Sequence, residues 1–325
     1  MVDRNRVAAL GAGLLLIMTA GACSATDRSP EPVAAADRAA APPATEAADL
    51  LAGRPFPVQT TTRTFVDDSR PTDYPDDRPD LPTRSLETRL YVPQGDGPFP
   101  LVVQAHGFNG HPRKYTELGM TWAEAGYVVA LPAFPLTNDT TPGGAVFQDY
   151  VNQPADLSFV IDQVLALSQS DDPVLGGRVD PERIGVSGHS LGGATAYGIA
   201  FNDCCRDDRI DAVTLMSTLP LPFDGGTYDF SGTPLLMLQL TEDPVVPYDA
   251  ATTTYAEAAS PKFLVTLEGG VHPEPYEDAP SPFDDVVMDT TIAFWDAYLV
   301  DDADAVDHLV MAAVSTDITS ITDAP

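Results

Sequence analysis

Basic residues are scarce in this chain: 17 Lys and Arg face 48 Asp and Glu, a net charge of −31, and lysine occurs only at Lys114 and Lys262. So acidic a surface repels polyanions, which excludes nucleic acid and anionic membrane surfaces as partners of the folded part. Cysteine is nearly absent too, Cys23, Cys204 and Cys205 being the whole complement. An adjacent pair does not supply the spaced ligands of a zinc site, so no metal is expected, and nothing in the sequence calls for a cofactor. Neighbouring Cα atoms stand about 3.8 Å apart, below the usual disulfide span of roughly 4.4 to 6.8 Å. Both a vicinal disulfide and a pair of packed thiols therefore stay open for Cys204 and Cys205. The apolar run Val7 to Thr19 falls short of the roughly 20 residues that cross a bilayer as a helix.

What surrounds that run explains it. Arg4 and Arg6 precede it and Ala20-Gly21-Ala22 follows, just before Cys23, which is the layout of a cleaved export signal over residues 1–22. Cys23 directly after small residues also resembles a bacterial lipobox, with Ala20 where Leu is usual. That resemblance implies a lipid on Cys23 and a cell-surface protein; plain secretion after the same cut is the alternative. Residues 23–53, rich in Ala, Pro, Asp and Glu without apolar period, read as a flexible tether.

Beyond the tether, Val58 to Val66 and Thr88 to Val92 alternate as half-buried strands around a Pro- and Asp-rich loop, and predict an antiparallel start to a sheet. Apolar strand-like runs then alternate with helical stretches. The strands are expected at Leu101 to Ala105, Tyr127 to Leu131, Arg183 to Ser187, Ala212 to Met216, Pro234 to Leu240 and Lys262 to Leu267. The pattern predicts an α/β domain over residues 54–300: a mostly parallel sheet with antiparallel N-terminal strands, helices on both faces and no large lid. Residues 301–325 read as an acidic tail. In such sheets chemistry gathers just after the carboxyl ends of the strands.

At one of these ends stands Gly188-His189-Ser190-Leu191-Gly192, after a strand and before a helix-compatible run. A serine between glycines at that junction reads as a nucleophile elbow. A hydroxyl is a weak nucleophile and needs an imidazole base oriented by a carboxylate. Of the five histidines, His272 alone lies where a base belongs, in the Gly-rich loop after the last core strand; His189 adjoins the serine and points the wrong way. For the acid, Asp243 follows the strand Pro234 to Leu240, with Glu242 its immediate rival and Asp229 a weaker one. Backbone N–H groups of Phe108, in the turn after Leu101 to Ala105, and of Leu191 are the expected donors to an oxyanion. His106 reads as a buried histidine ordering that turn. Aromatic residues at Phe147, Tyr150, Phe223, Tyr228 and Phe230 are expected to wall an acyl pocket or to pack their own loops.

The order Ser190, Asp243, His272, with the motifs Pro98-Phe99-Pro100-Leu101-Val102-Val103, Ala105-His106-Gly107-Phe108 and Gly126-Tyr127-Val128-Val129, resembles the α/β-hydrolase superfamily. The closer likeness is to secreted actinobacterial serine esterases related to the chlorophyllase, platelet-activating-factor acetylhydrolase and cutinase-like groups. The resemblance implies hydrolysis of a small or lipid-like carboxylic ester through an acyl-enzyme, by a monomer that touches membrane only through its lipid. Leu191 stands where the polyester hydrolases commonly carry Met, and Ser190 replaces the cysteine of the dienelactone hydrolases. A polyester hydrolase, a serine peptidase, an acyltransferase and a non-catalytic surface binding module are the rival readings.

Overall fold

The computed structural model describes residues 54–325; the expected signal at 1–22, Cys23 and the tether to residue 53 lie outside the described residues. Among the described residues, nine strands form one sheet in the order β1-β2-β4-β3-β5-β6-β7-β8-β9. They are β1 (Val58–Asp67), β2 (Arg84–Pro93), β3 (Phe99–Ala105), β4 (Val128–Ala133), β5 (Val179–His189), β6 (Ile210–Met216), β7 (Leu235–Leu240), β8 (Lys262–Leu267) and β9 (Thr319–Ala324). From β4 across to β8 the pairing is parallel, while β1, β2 and β9 run antiparallel to their neighbours.

Six α-helices cover the sheet: α1 (Thr116–Glu124), α2 (Gln153–Ser168), α3 (Leu191–Phe201), α4 (Tyr248–Glu257), α5 (Asp284–Leu299) and α6 (Ala305–Ala313). Because side chains alternate along a strand, the fully apolar central strands feed two cores at once. Leu101, Val103 and Ala105 join Leu157, Ile161, Tyr197 and Phe201 of α2 and α3 on one face. Val102 joins Trp122, Phe294 and Trp295 of α1 and α5 on the other. Each buried Leu, Val or Phe contributes roughly 1.5–3 kcal/mol relative to exposure.

This layout fixes where a site lies. Strand β3 sits beside β5, but the helix after β3 covers one face and the helix after β5 the other. The two connections diverge, and a crevice opens at the carboxyl ends of β3 and β5.

The segment 301–325, expected as an acidic tail, is folded into the domain. It forms α6, whose Leu309 and Ala313 are fully buried, and β9, which pairs antiparallel with β8. Antiparallel strands thus close the sheet at its far end as well as at its start.

Candidate active site

Strand β5 ends at His189 and α3 begins at Leu191, so Ser190 alone makes the turn between them. Its φ of 54° and ψ of −120° lie in a region that L-residues sparsely populate. Crowding requires the flanking glycines: a Cβ at Gly188 would stand 2.1 Å from the Gly192 carbonyl oxygen, and one at Gly192 2.1 Å from the Ala105 carbonyl oxygen. The strained turn is held from two sides. The Ser190 N–H donates to the Met216 carbonyl at 2.9 Å, and the Thr218 hydroxyl donates to the Ser190 carbonyl at 2.6 Å.

The loop after β8 brings His272 to this turn, and the loop after β7 brings Asp243 to His272. Nε2 of His272 lies 2.8 Å from Ser190 Oγ, and Nδ1 lies 2.7 Å from Asp243 Oδ2. A carboxylate oxygen only accepts, so Nδ1 carries the ring hydrogen and Nε2 is left with its lone pair toward the hydroxyl. The other oxygen, Asp243 Oδ1, accepts from the N–H groups of Val245 and Val246 at 2.7 and 2.9 Å. Burial pushes the Asp243 carboxyl up. The hydrogen bonds from His272, Val246 and Val245 outweigh it, and its pKa settles below the ordinary carboxylate value. Glu242 stands exposed beside it, and Asp229 is exposed and accepts from the Ser231 N–H.

The turn after β3 closes on the serine. A Cβ at Gly107 would lie 3.2 Å from Ser190 Cβ, which puts the Gly107 backbone against the serine. Among the described residues, no backbone carbonyl accepts from the Phe108 or Leu191 N–H. Two open donors flanking a hydroxyl are what an oxyanion needs, and the N-terminus of α3 adds its dipole at Leu191.

His106 is buried: its Nδ1 is 2.8 Å from the Gly107 carbonyl, its Nε2 accepts from the Phe134 N–H, and burial pushes it down to about 4. His189 is likewise neutral, pushed down to about 3 by burial and then by the neighbouring His272. Burial raises the Tyr115 phenol, which keeps its proton and donates to His189 Nδ1 at 2.9 Å while accepting from the Gly107 N–H at 3.2 Å. Tyr115 thus ties the β3 turn to the elbow.

Three further positioning residues are absent from the sequence reading. Thr218 holds the elbow. Tyr276 drives the His272 loop into the core, its hydroxyl 3.0 Å from Ser217 Oγ and donating to the Leu238 carbonyl. Asp278 accepts from the first two N–H groups of α1, Thr116 and Glu117, both at 2.9 Å. Only Tyr276, four residues after His272, carried a local signal.

The aromatic residues divide. Phe108, Phe147, Tyr150 and Phe223 form a row of touching rings, with centroids 5.6, 5.7 and 5.4 Å apart in turn, leading away from the elbow. Tyr228 and Phe230 stack on each other and meet Tyr197 edge to face, and Tyr228 also meets Phe223 edge to face. Cys204 and Cys205 are joined as a vicinal disulfide, Cα to Cα 3.8 Å, just past the end of α3.

Known proteins are similar to this chain in sequence and in fold. The Chlorophyllase family model matches residues 70–229. Lipase 1 of Moraxella sp. (strain TA144) is 26% identical over 130 residues, 39% of this chain and 36% of that protein, so the match spans about a third of the lipase's length. The ferulic acid esterase from Streptomyces cinnamoneus shares the fold, with a TM-score of 0.60 over 78% of this chain and 93% of that one at 21% identity. The mixed sheet, with a serine turn after β5, an acid after β7 and a histidine after β8, has the α/β-hydrolase fold, and the chain is similar to esterases and lipases.

Proposed function

We propose that this protein is an exported serine esterase that cleaves carboxylic esters through an acyl-enzyme. Ser190 Oγ attacks the ester carbonyl as His272 Nε2 takes its proton, and Asp243 holds the imidazole and stabilises it once charged. The Phe108 and Leu191 N–H groups receive the negative charge of the tetrahedral intermediate. Collapse expels the alcohol, protonated by His272, and water then releases the acid by the same steps in reverse. The single observation that carries the reading is the relay itself, 2.8 Å from Ser190 to His272 and 2.7 Å from His272 to Asp243.

The test is Ser190→Ala. It is expected to abolish turnover of p-nitrophenyl butyrate and labelling by a fluorophosphonate probe while leaving the melting temperature within about 2 °C, since the substitution removes one hydroxyl at a site where the backbone is already held. Retained turnover sinks the assignment.

Export and attachment through a lipid on Cys23 complete the proposal, with the acidic tether giving reach and the folded domain acting as a monomer on a small or lipid-like ester. The signal-like layout of residues 1–23 supports it. A palmitate analogue fed to expressing bacteria is incorporated into the parent chain and not into Cys23→Ala; incorporation into both removes Cys23 from the reading.

A further inference from the structure

Large apolar side chains that stand in water are few among the described residues, and their positions are uneven. Nine are exposed, and those on connections at the carboxyl edge of the sheet, where Ser190 lies, include Phe108, Phe147, Val151, Val245 and Val271. Val245, 61% exposed, is two residues from Asp243, and Val271, 56% exposed, adjoins His272. Phe108 belongs to the turn over Ser190 and its ring touches that of Phe147. The apolar groups therefore flank every arm of the site. Exposed apolar groups gathered around a site mark a surface that seats something.

Charge decides what it seats. No Lys or Arg occurs at residues 115–177, 210–261 or 263–325, the stretches that carry Phe147, Val151, Val245 and Val271. The cations beside it are engaged: Arg70 and Arg84, next to Asn152 and Asp149, pair with Asp67, Asp156 and Asp149, and Arg113 and Lys114 pair with Asp139 and Glu277. With a net charge of −31 behind it, this rim has nothing to attract an anionic headgroup layer. What fits an apolar rim without cations is an uncharged surface that itself contains the ester.

We infer that the rim formed by Phe108, Phe147, Val151, Val245 and Val271 seats the protein on the surface of a condensed neutral ester, so that Ser190 works on substrate drawn from a water-insoluble phase. The inference rests on Ser190 being the nucleophile, yet adsorption and hydrolysis are measured apart. The rim is also separable from the chemistry. Phe147 and Val151 lie in the 3-10 segment Phe147–Asn152, which is fastened beneath by the buried Arg84 guanidinium forking onto Asp149 at 2.9 and 3.0 Å. Their side chains can change without loosening that segment.

The experiment uses the Ser190→Ala protein, which leaves droplets intact, and follows its depletion from solution by emulsified tributyrin. It is expected to adsorb. Adding Phe147→Asp and Val151→Asp is expected to weaken adsorption by about a hundredfold, since each desolvated apolar side chain is worth about tenfold or more. Met311→Asp, at an exposed apolar group on helix α6 and not on a connection at this edge, leaves it unchanged. With Ser190 intact, Val151→Asp alone keeps dissolved p-nitrophenyl acetate turnover within about threefold and lowers droplet hydrolysis about tenfold. Unweakened adsorption of the double variant, equal loss in Met311→Asp, or equally tight binding to phosphatidylglycerol vesicles overturns the inference. Adsorption without any turnover of dissolved ester overturns the nucleophile assignment and leaves the rim standing.

Discussion

At the scale of single residues, the choice between adjacent carboxylates sets the chemistry. Asp243 Oδ2 is the oxygen bonded to His272 Nδ1, and its side chain is fully buried, whereas Glu242 faces solvent. Its lowered pKa keeps Asp243 ionised below the ordinary carboxylate range, so the carboxylate persists through mildly acid conditions and does not set the acid limit of activity. Asp243→Asn offers an amide that can donate toward Nδ1, which favours the tautomer with Nε2 protonated and useless as a base. The expected loss in kcat on p-nitrophenyl butyrate is of order 10⁴-fold. Glu242→Gln removes only an exposed charge and leaves kcat within about twofold. The reverse result in steady-state kinetics would move the acid to Glu242. Ser190, Asp243 and His272 were legible in the chain because each follows an apolar run whose end is visible. Tyr115 was not, because its partner His189 is 74 residues away and nothing local marks the contact.

At the scale of elements, the loop that carries His272, the proposed base, is the part most in need of support. Between β8 and α5 it has no ladder hydrogen bonds of its own, and its position rests on Tyr276 in the core and on Asp278 at the start of α1. Asp278 caps a helix that its own chain neighbours do not cap, since Tyr115 at the N-cap position makes no side-chain cap bond. Asp278→Ala is expected to cost about 0.5–2 kcal/mol of stability and to lower kcat several-fold with KM little changed, because His272 then wanders while the pocket stays. Asp278→Asn or Asp278→Ser restores much of both. A lowered melting temperature with kcat untouched would uncouple the cap from the base. The elements themselves were largely visible from apolar periodicity, and their ends differ by a few residues: β2 runs from Arg84 where alternation suggested Thr88. The longer strand places Arg84 under the segment holding Asp149 and Asp156, a buried ion cluster that no local pattern announces.

At the scale of the whole molecule, the misread segment is the informative one. Residues 301–325 look like a solvated tail because Asp301, Asp302, Asp304, Asp307, Asp317 and Asp323 dominate the eye. Yet Ala305, Leu309 and Ala313 recur at four-residue spacing and are the buried residues of α6. Nine residues of weak period after a run of aspartates fall below what composition reveals, and a lone strand such as Thr319–Ala324 declares itself only through its partner. That partner is β8, paired along its whole length from Lys262↔Ala324 to Leu267↔Thr319. Without β9, β8 becomes an open edge beside the loop that carries His272, with its N–H and C=O groups unpaired and prone to join another chain. Losing the buried Leu309 alone removes roughly 1.5–3 kcal/mol of apolar burial, a large share of a typical 5–15 kcal/mol stability. A chain ending at Val300 is therefore expected to melt at least about 5 °C lower and to aggregate on standing. Its remaining activity should scale with the folded fraction read by circular dichroism, because the truncation touches none of the reacting groups. Unchanged melting and activity in that shortened chain would return the segment to the status of a tail.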